Sequence, residues 1–514
     1  MAKAPEVEWL IGGEPREVQL EALRRSFYGY ALKDHKDDEG NMRILREGFI
    51  PTRGWGHYME MRLGKTPTAL NEFMLFRQGY DFERIIVLGP NQYKEDWALE
   101  NEKYGVDVPM IPYYQQKLSK MEKAFKDAKG ALSFSVNYEA LQYDKTLDFL
   151  ESIMTKRTLL VADESIFIKN RESLFTKGAM QIRDKVAVTR VASGLPMTQG
   201  PTDFFSQAKF IGMYDGLSYY AFRGKYCVMG GFKGRKVTGS KDEDKLNADI
   251  NSKAFVAKRR DWGTQSEAEH YQMRLDMAPE QKKHYDEMNQ ELITIVETEK
   301  GEEEAIIAEQ VMGKLMKMQQ ISSGFVYTEA GEAVEIMDPK KTPKMKALLM
   351  LLENEIKGKV VIPYHYAQSG ELLEEVLAKY NPAFILSTGR MKKKGLDYVS
   401  EKKKFNNDPS CRVVIGNLVT MKYGHDLTGS PEDRCATMFF FENNFSLDNR
   451  TQVEARNTTA FQDWANLYLD PYCSQTELNA ISALVEKRNL VEGVLGPYRL
   501  DRRDGVEWTG RQQS

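Results

Sequence analysis

The chain has 514 residues, with 72 Lys plus Arg against 75 Asp plus Glu for a formal net charge of -3, 41% hydrophobic and 29% charged residues. That balance fits two large or about three domains with real cores, and it excludes a uniformly basic nucleic-acid coat while leaving room for a local basic groove. A mean hydropathy of -0.53 and the lack of any apolar run near the length of a bilayer exclude a membrane span, and the opening MAKAPEVEWLIGGEPREVQL predicts no secretory signal. The four cysteines form no C-x-x-C pair and the six histidines are scattered. Reduced, mostly buried thiols in a cytosolic protein are therefore expected, with no zinc site and no disulfide framework.

In chain order, short apolar runs alternate with helix-permissive stretches. Residues 85–88 (IIVL), 159–162 (LLVA), 186–188 (VAV) and 191–192 (VA) read as buried strands ending in polar or turn-forming residues. Residues 67–76, 91–104 and 115–129 read as helices between them. This is the βαβ rhythm of a parallel sheet, whose sites gather at the C-terminal strand ends. The rhythm returns at 359–363 (KVVIP), 384–386, 412–415 (RVVI) and 438–441 (MFFF), with helices at 370–379 and 397–405. Between the two α/β units, about 215–335 is helical and charged, with helical spacing at 281–298, an acidic run at Glu302-Glu303-Glu304, and a core-type Met, Leu and Val stripe at 311–321. The expected organisation is a first ATP-binding lobe over 1–214, a helical insertion over 215–335, and a second lobe with a helical tail over 336–514.

Residues 59–66 read Met59-Glu60-Met61-Arg62-Leu63-Gly64-Lys65-Thr66, and Pro67 then suits a first helical turn. A phosphate-binding loop needs a backbone that curls its N–H groups around phosphate oxygens. It also needs an ammonium for the β- and γ-phosphates and a hydroxyl for Mg²⁺. Gly64, Lys65 and Thr66 supply the end of that device, although Met59 stands where the usual first glycine would be. About 100 residues on, the strand LLVA delivers Asp163 and Glu164. Adjacent carboxylates suit hydrolysis in which one orients Mg²⁺ and the other polarises the attacking water.

From about 14 to 496 the chain resembles superfamily-two helicase-like ATPases of the Snf chromatin-remodeller type, compact members of which are often encoded by bacterial viruses. Residues 14–27 (EPREVQLEALRRSF) look like the opening glutamine segment, and 60–66 like the E-M-G-L-G-K-T loop. Residues 87–104, with Trp97, look like the segment after the next strand. DESIFIKN at 163–170 is similar to D-E-A-H-x-x-K-N, and 193–211 to T-G-T-P-x-x-N with its aromatic helix. Residues 255–261 (FVAKRRD) look like the paired-arginine segment, 317–325 like the helix before the linker, and 341–352 like the entry to the second lobe. Residues 411–428 align with the glycine-bearing segment, and 452–462 (QVEARNTTAFQ) with Q-x-x-D-R-x-H-R-x-G-Q.

The resemblance implies two RecA-like parallel-sheet lobes around the charged helical insertion, with ATP and Mg²⁺ between the lobes. It implies Gln19 on adenine, and Arg62, Leu63, Gly64, Lys65, Thr66, Gly424 and Asp426 around the nucleotide. Thr66 and Asp163 hold the metal, Lys65, Asp163, Glu164 and Arg456 serve catalysis, and Ser193, Gly194 and Gln452 couple the lobes. It also implies double-stranded DNA as the track, translocation as the activity, and a monomer in the cytoplasm of a bacterial or infected bacterial cell. No appended bromodomain-like, zinc-finger or nuclease segment is legible, so target choice is expected to come from a protein partner or from DNA form.

The departures are specific. Arg62 replaces a loop glycine, Met421 and Lys422 replace a glycine pair, and Thr459 stands at the second arginine of the last motif. In the family that arginine reaches the γ-phosphate, a contact of the kind that contributes about 10³–10⁵ in rate. Arg450 and Lys422 are the candidate substitutes. A nucleotide-dependent DNA clamp with little ATPase, and a strand-separating or fork-remodelling helicase, stand as alternatives to a translocase.

Charge is uneven. Residues 222–260 hold eleven Lys/Arg against four Asp/Glu, a net of +7, and 388–404 hold seven against two, a net of +5. Lys233, Arg235, Lys236, Arg259 and Arg260 in the first cluster and Lys392, Lys393 and Lys394 in the second are the candidate DNA contacts. Phe222, Tyr226 and Phe232 interleave with the first cluster and are read as core aromatics, with base stacking as the alternative.

Overall fold

Strands buried on both faces organise each half of the molecule, as expected where helices cover a parallel sheet. The computed structural model describes residues 7–28, 53–230, 236–262, 268–298, 304–423, 426–459, 462 and 464–495. By contacts the chain divides into two units. The first comprises the described residues of Met1–Glu60, Gly64–Ala257 and Asn489–Ser514, and the second those of Met61–Leu63 and Lys258–Arg488.

In the first unit the strands are β1 (Gly54–Met59), β2 (Arg84–Gly89), β3 (Met110–Pro112), β4 (Ser133–Asn137), β5 (Thr158–Asp163), β6 (Val188–Ala192), β7 (Cys227–Gly230), β8 (Lys236–Ser240) and β9 (Ala254–Ala257). Seven form one sheet in the order β3-β4-β2-β5-β6-β1-β9, with every pairing parallel. The other two, β7 and β8, pair antiparallel with each other. Helix Lys65–Tyr80 lays Ala69, Leu70, Phe73 and Phe76 on Ile85, Val87, Leu159, Val161 and Val188. Each such large side chain contributes about 1.5–3 kcal/mol on burial.

Strand β1 sits tightly between β6 and β9. A Cβ on Gly54 would lie 1.9 Å from the Ile211 carbonyl oxygen, and one on Gly56 would lie 2.9 Å from the Ala254 Cβ. Only residues without side chains fit there, which is why GWGHYM lacks the apolar signature of a strand.

In the second unit the strands are β10 (Glu269–Arg274), β11 (Phe325–Tyr327), β12 (Ala333–Glu335), β13 (Val360–Tyr364), β14 (Ala383–Ile385), β15 (Val413–Asn417), β16 (Thr437–Phe439) and β17 (Leu467–Tyr472). Six make a parallel sheet in the order β10-β17-β16-β13-β15-β14, and β11 pairs antiparallel with β12. The expected α/β class, with two parallel sheets, is what the chain adopts.

The middle of the chain is arranged differently from the expected 215–335 insertion. Strand β9 is the edge of the first sheet and β10 is the edge of the second, so the contact division falls between Ala257 and Lys258. Helices Tyr219–Tyr226, Glu243–Ser252, Arg259–Trp262, Pro279–Thr298 and Glu304–Ser322 share this stretch with strands β7 to β12. Strand β10 reads EHYQMR and is mostly exposed, so no apolar run marked it. Phe222 and Tyr226 are fully buried, as core aromatics, while Phe232 lies outside the described residues.

Cys227, Cys411 and Cys435 are buried and Cys473 is half-buried, all as free thiols. Burial pushes the Cys411 thiol up to about 11 and the Cys435 and Cys473 thiols to about 12. Among the described residues no helix is long and apolar enough to cross a membrane.

A buried charge network ties β1, the helix after it, and β6. Arg190 Nε donates to Glu72 Oε1 at 2.8 Å, and His57 Nε2 lies 3.0 Å from Glu72 Oε2. Burial pushes the Glu72 carboxyl up, but the Arg190 guanidinium and His57 outweigh it and hold it at about 2. In the second unit Glu454, against Arg488, Arg450 and His270, is likewise held at about 2. Both carboxyls are depressed below their ordinary value near ~4.3. The stability they confer is therefore present above that value and is lost as pH falls from there toward 2. Hydrogen exchange at β1 and β6 should lose protection across that window. Arg190→Ala removes the larger compensating charge from the buried Glu72, leaving His57, and should cost about 3–5 kcal/mol already at neutral pH; a urea midpoint equal to the parent's would contradict this assignment.

Candidate active site

Three adjacent strands, β5, β6 and β1, end side by side. Asp163 and His57 are each in register with Ala192. Parallel neighbours lie about 4.8 Å apart, so the loops beginning at Asp163, Ser193 and Glu60 issue from one short edge.

The loop after β1 closes on two left-handed residues, Arg62 (φ 72) and Gly64 (φ 88). Gly64 is the N-cap of helix Lys65–Tyr80 and provides no side-chain cap. Pro67 has no N–H to give, and the Thr68 N–H and hydroxyl both turn to the Gly64 carbonyl, at 3.1 and 2.8 Å. The N–H groups of Lys65 and Thr66, in the first turn, have no intrahelical acceptor, and they carry the positive end of the helix. Lys65 Nζ donates to the Met59 carbonyl at 3.1 Å, folding over its own loop.

Gln19, from helix Glu17–Tyr28, reaches the same loop. Its Oε1 accepts from the Arg16 N–H at 2.7 Å, and its Nε2 lies 3.4 Å from the Gly64 carbonyl oxygen. A Cβ on Gly64 would meet that Nε2 at 2.3 Å. The glycine thus serves both the turn and the approach of Gln19. Leu63 is buried.

Asp163 and Glu164 are buried at the end of β5. Asp163 Oδ2 accepts the Trp97 indole N–H at 2.8 Å, and Oδ1 accepts the Glu164 N–H at 3.0 Å. The Tyr138 hydroxyl donates to the Asp163 carbonyl at 2.7 Å. Burial pushes the Asp163 carboxyl above its ordinary value, against the Lys65 charge and the two donors. Glu164 is held in the left-handed region (φ 47), a conformation a non-glycine residue adopts at a cost and one that clusters at functional sites. Its Oε2 accepts from the Ser193 hydroxyl at 3.4 Å, so Ser193 does meet Glu164. Gly194 follows, half-buried.

The loop beyond is fixed by Asp203, whose Oδ2 accepts the Thr198 N–H, the Thr198 hydroxyl and the Gln199 N–H, each at 2.8 Å. Lys169 Nζ bonds Thr198 Oγ1 at 2.9 Å, and the Ser165 hydroxyl bonds Gln207 Oε1 at 2.6 Å.

The donor set suits Mg²⁺ arriving with a polyphosphate rather than a resident metal. Mg²⁺ binds through one or two carboxylates plus phosphates and keeps several waters. Thr66 and Asp163 offer one hydroxyl and one carboxylate, and among the described residues no cluster of three His, Cys, Asp or Glu is suited to a metal.

The second unit's predicted residues are more heavily engaged. The Arg456 Nε donates to the Gln452 carbonyl at 2.9 Å and its Nη2 to the Lys422 carbonyl at 2.7 Å. Gln452 donates to Asp448 at 3.1 Å, and its buried Oε1 has no partner among the described residues. Neither candidate substitute for the second arginine is available. Arg450 is buried between Asp470, Glu454 and Asn443, and Lys422 pairs with Asp448 at 3.1 Å. Arg62 pairs with Asp426. Gly424 lies outside the described residues.

Of the basic candidates, Lys233 and Arg235 lie outside the described residues, and Lys236 begins β8. Arg259 is half-buried, and the exposed Arg260 lies 4.0 Å from Asp261. Lys392, Lys393 and Lys394 are exposed on the last turn of helix Thr388–Lys394, with Lys394 bonded to Glu374 at 2.8 Å.

The sequence singles out Lys65, Asp163 and Glu164 as candidates but not how they are held. Trp97, Ser165, Asp203 and Gln207 lie within segments the resemblance covers, yet their hydrogen bonds, like that of Tyr138, join residues 4 to 66 apart and leave no mark in the sequence.

Gly64→Ala should cost about 1–2 kcal/mol for the left-handed backbone alone. A Cβ on Gly64 would also lie 2.5 Å from Arg16 Nη2, so removing both side-chain clashes with Gln19→Ala and Arg16→Ala should not recover it. Melting at the parent temperature for Gly64→Ala would contradict the loop geometry.

No protein-family model matches the chain, and no curated protein matches it. Among solved structures it is similar to the Sulfolobus solfataricus SWI2/SNF2 ATPase core in complex with double-stranded DNA, at a TM-score of 0.41 and 17% identity, covering 96% of this chain and 95% of that one. It is similar at the same score and identity to the Sulfolobus solfataricus SWI2/SNF2 ATPase core domain, covering 95% of this chain and 92% of that one.

Proposed function

We propose that the protein is an ATP hydrolase of the helicase-like type that uses turnover to translocate on double-stranded DNA. One observation carries the reading: a helix N-terminus without a side-chain cap, the Lys65 ammonium and the Asp163–Glu164 pair are brought to the ends of adjacent parallel strands. The Lys65 and Thr66 N–H groups and the Lys65 ammonium bind the phosphates. Thr66 and Asp163 hold Mg²⁺, which when bound neutralises phosphate charge. Trp97 and Tyr138 fix the Asp163 carboxylate and its backbone. Glu164 accepts a proton from the water that attacks the γ-phosphorus, as the bond to the bridging oxygen breaks and ADP leaves. Ser193 holds the Glu164 carboxylate and links its state to the loop after β6. Gln19 serves the base. Arg456, carried by resemblance, serves the phosphates. Lys233, Arg235, Lys236, Arg259, Arg260, Lys392, Lys393 and Lys394 contribute to the DNA track.

A second reading is favoured by Thr459 and by the engaged side chains of Arg450 and Lys422. With no second arginine to spare, the chain acts as a nucleotide-dependent DNA clamp of low turnover.

Phosphate release measured without DNA, with single strands and with duplex separates the two. For the motor, duplex DNA raises turnover, and Lys65→Ala or Glu164→Gln lowers it by about 10²-fold or more. Retained duplex binding without turnover supports the clamp. Triplex displacement without duplex unwinding distinguishes translocation from strand separation.

A further inference from the structure

A surface cluster on the first unit is unused by this chemistry. Helix Tyr219–Tyr226 begins at Ser218, whose side chain accepts the Ala221 N–H at 3.2 Å. Tyr219 packs edge-on against the buried Phe205, with ring centres 5.5 Å apart. Tyr220 projects beside it, 64% exposed, with the two tyrosine ring centres 5.7 Å apart. Two guanidinium groups are seated on this pair. Arg171 Cζ lies 4.4 Å from the Tyr219 ring centre and 5.6 Å from that of Tyr220. Arg223 Cζ lies 5.9 and 5.3 Å from the same two centres.

An aromatic seat orients a guanidinium without neutralising it, whereas a carboxylate would do both. The N–H rim of a stacked guanidinium stays open to a planar or tetrahedral oxyanion, and Arg takes phosphate bidentately. Among the described residues Arg223 has no carboxylate partner, and Arg171 has only the neighbouring Glu172 at 2.9 Å, a pair 39% and 60% exposed whose acid also takes Lys177 at 3.3 Å. Exposed pairs of this kind are worth little. Two oriented cations on one face, one without a carboxylate among the described residues and the other in a single exposed pair, call for a doubly anionic or repeating anionic partner.

We propose that Arg171 and Arg223, seated on Tyr219 and Tyr220, form a clamp for the phosphodiester backbone of a nucleic acid. The clamp reads no bases, because its chemistry meets only phosphate. Its position is suggestive of coupling. Arg171 lies eight residues after Asp163 in the chain, and helix Thr202–Phe210 carries both Phe205 under Tyr219 and Gln207, which bonds Ser165 beside Glu164. This inference rests on the nucleic-acid reading above and assigns it a location.

The test is duplex-DNA affinity of the full chain as a function of salt. Arg171→Ala/Arg223→Ala should bind at least about tenfold more weakly near 0.1 M salt, and its slope of log K against log salt should be shallower by about 2, near 0.9 for each phosphate contact. Tyr220→Phe should keep the parent slope, and Tyr220→Ala should lose part of it. Turnover without DNA should be unchanged in all three, which separates a lost contact from a damaged fold. Salt-sensitive binding by the parent with an unaltered slope in the double variant overturns the clamp alone. Absence of salt-sensitive nucleic-acid binding in the parent overturns both the clamp and the reading it rests on.

Discussion

The hydrogen-bond ladder joining β5, β6 and β1 is the constraint on which the candidate site depends. Because the three strands are parallel and adjacent, their C-terminal ends stand together. The ladder carries three loops of unrelated sequence to one place: the one holding Lys65, the one opening with Asp163 and the one opening with Ser193. The Ser193 N–H donates to the His57 carbonyl at 3.3 Å, so the loop after β6 is anchored on the strand that feeds the Gly64–Lys65 loop. The buried Glu72, held by His57 and Arg190, locks the same strands to the helix that Lys65 begins. Charge burial of this sort is expensive unless every partner is present, and here it joins the strands and the helix that carry the candidate residues.

The second sheet shows polar burial of another kind. Arg450 is enclosed by carboxylates from helix Leu447–Glu454 and strand β17, with its guanidinium 3.4 Å from the Phe440 ring centre. Arg456, six residues on, spends two of its donors on backbone carbonyls. Arg450 thus holds the fold, while Arg456 is oriented by the backbone around it. Neither arrangement follows from the residue type.

Legibility followed burial. Strands such as β2 and β5 are apolar throughout and were readable, as were the glycine, lysine and carboxylates whose chemistry has few alternatives. Strand β1 was not, because the Ile211 carbonyl leaves no room for a side chain at position 54, Ala254 leaves little at 56, and His57 is turned to the buried Glu72. Strands β9 and β10 were not, because one is four residues long and the other is exposed. Both are specified by their partners across the ladder rather than by their own composition. The same holds for Trp97, Tyr138 and Asp203. Each earns its place through a hydrogen bond to a distant residue, and a single sequence carries no trace of that pairing.

The four thiols bear on how the protein could be labelled. Three are sealed in the cores, and the half-buried Cys473 sits where the thiolate is scarce at neutral pH, so none competes well for an electrophile. A cysteine placed at an exposed site such as Val399, 58% open to solvent, would react with a maleimide dye ahead of all the native ones. Single-molecule tracking could therefore start from the natural sequence plus one substitution, with no need to strip the background.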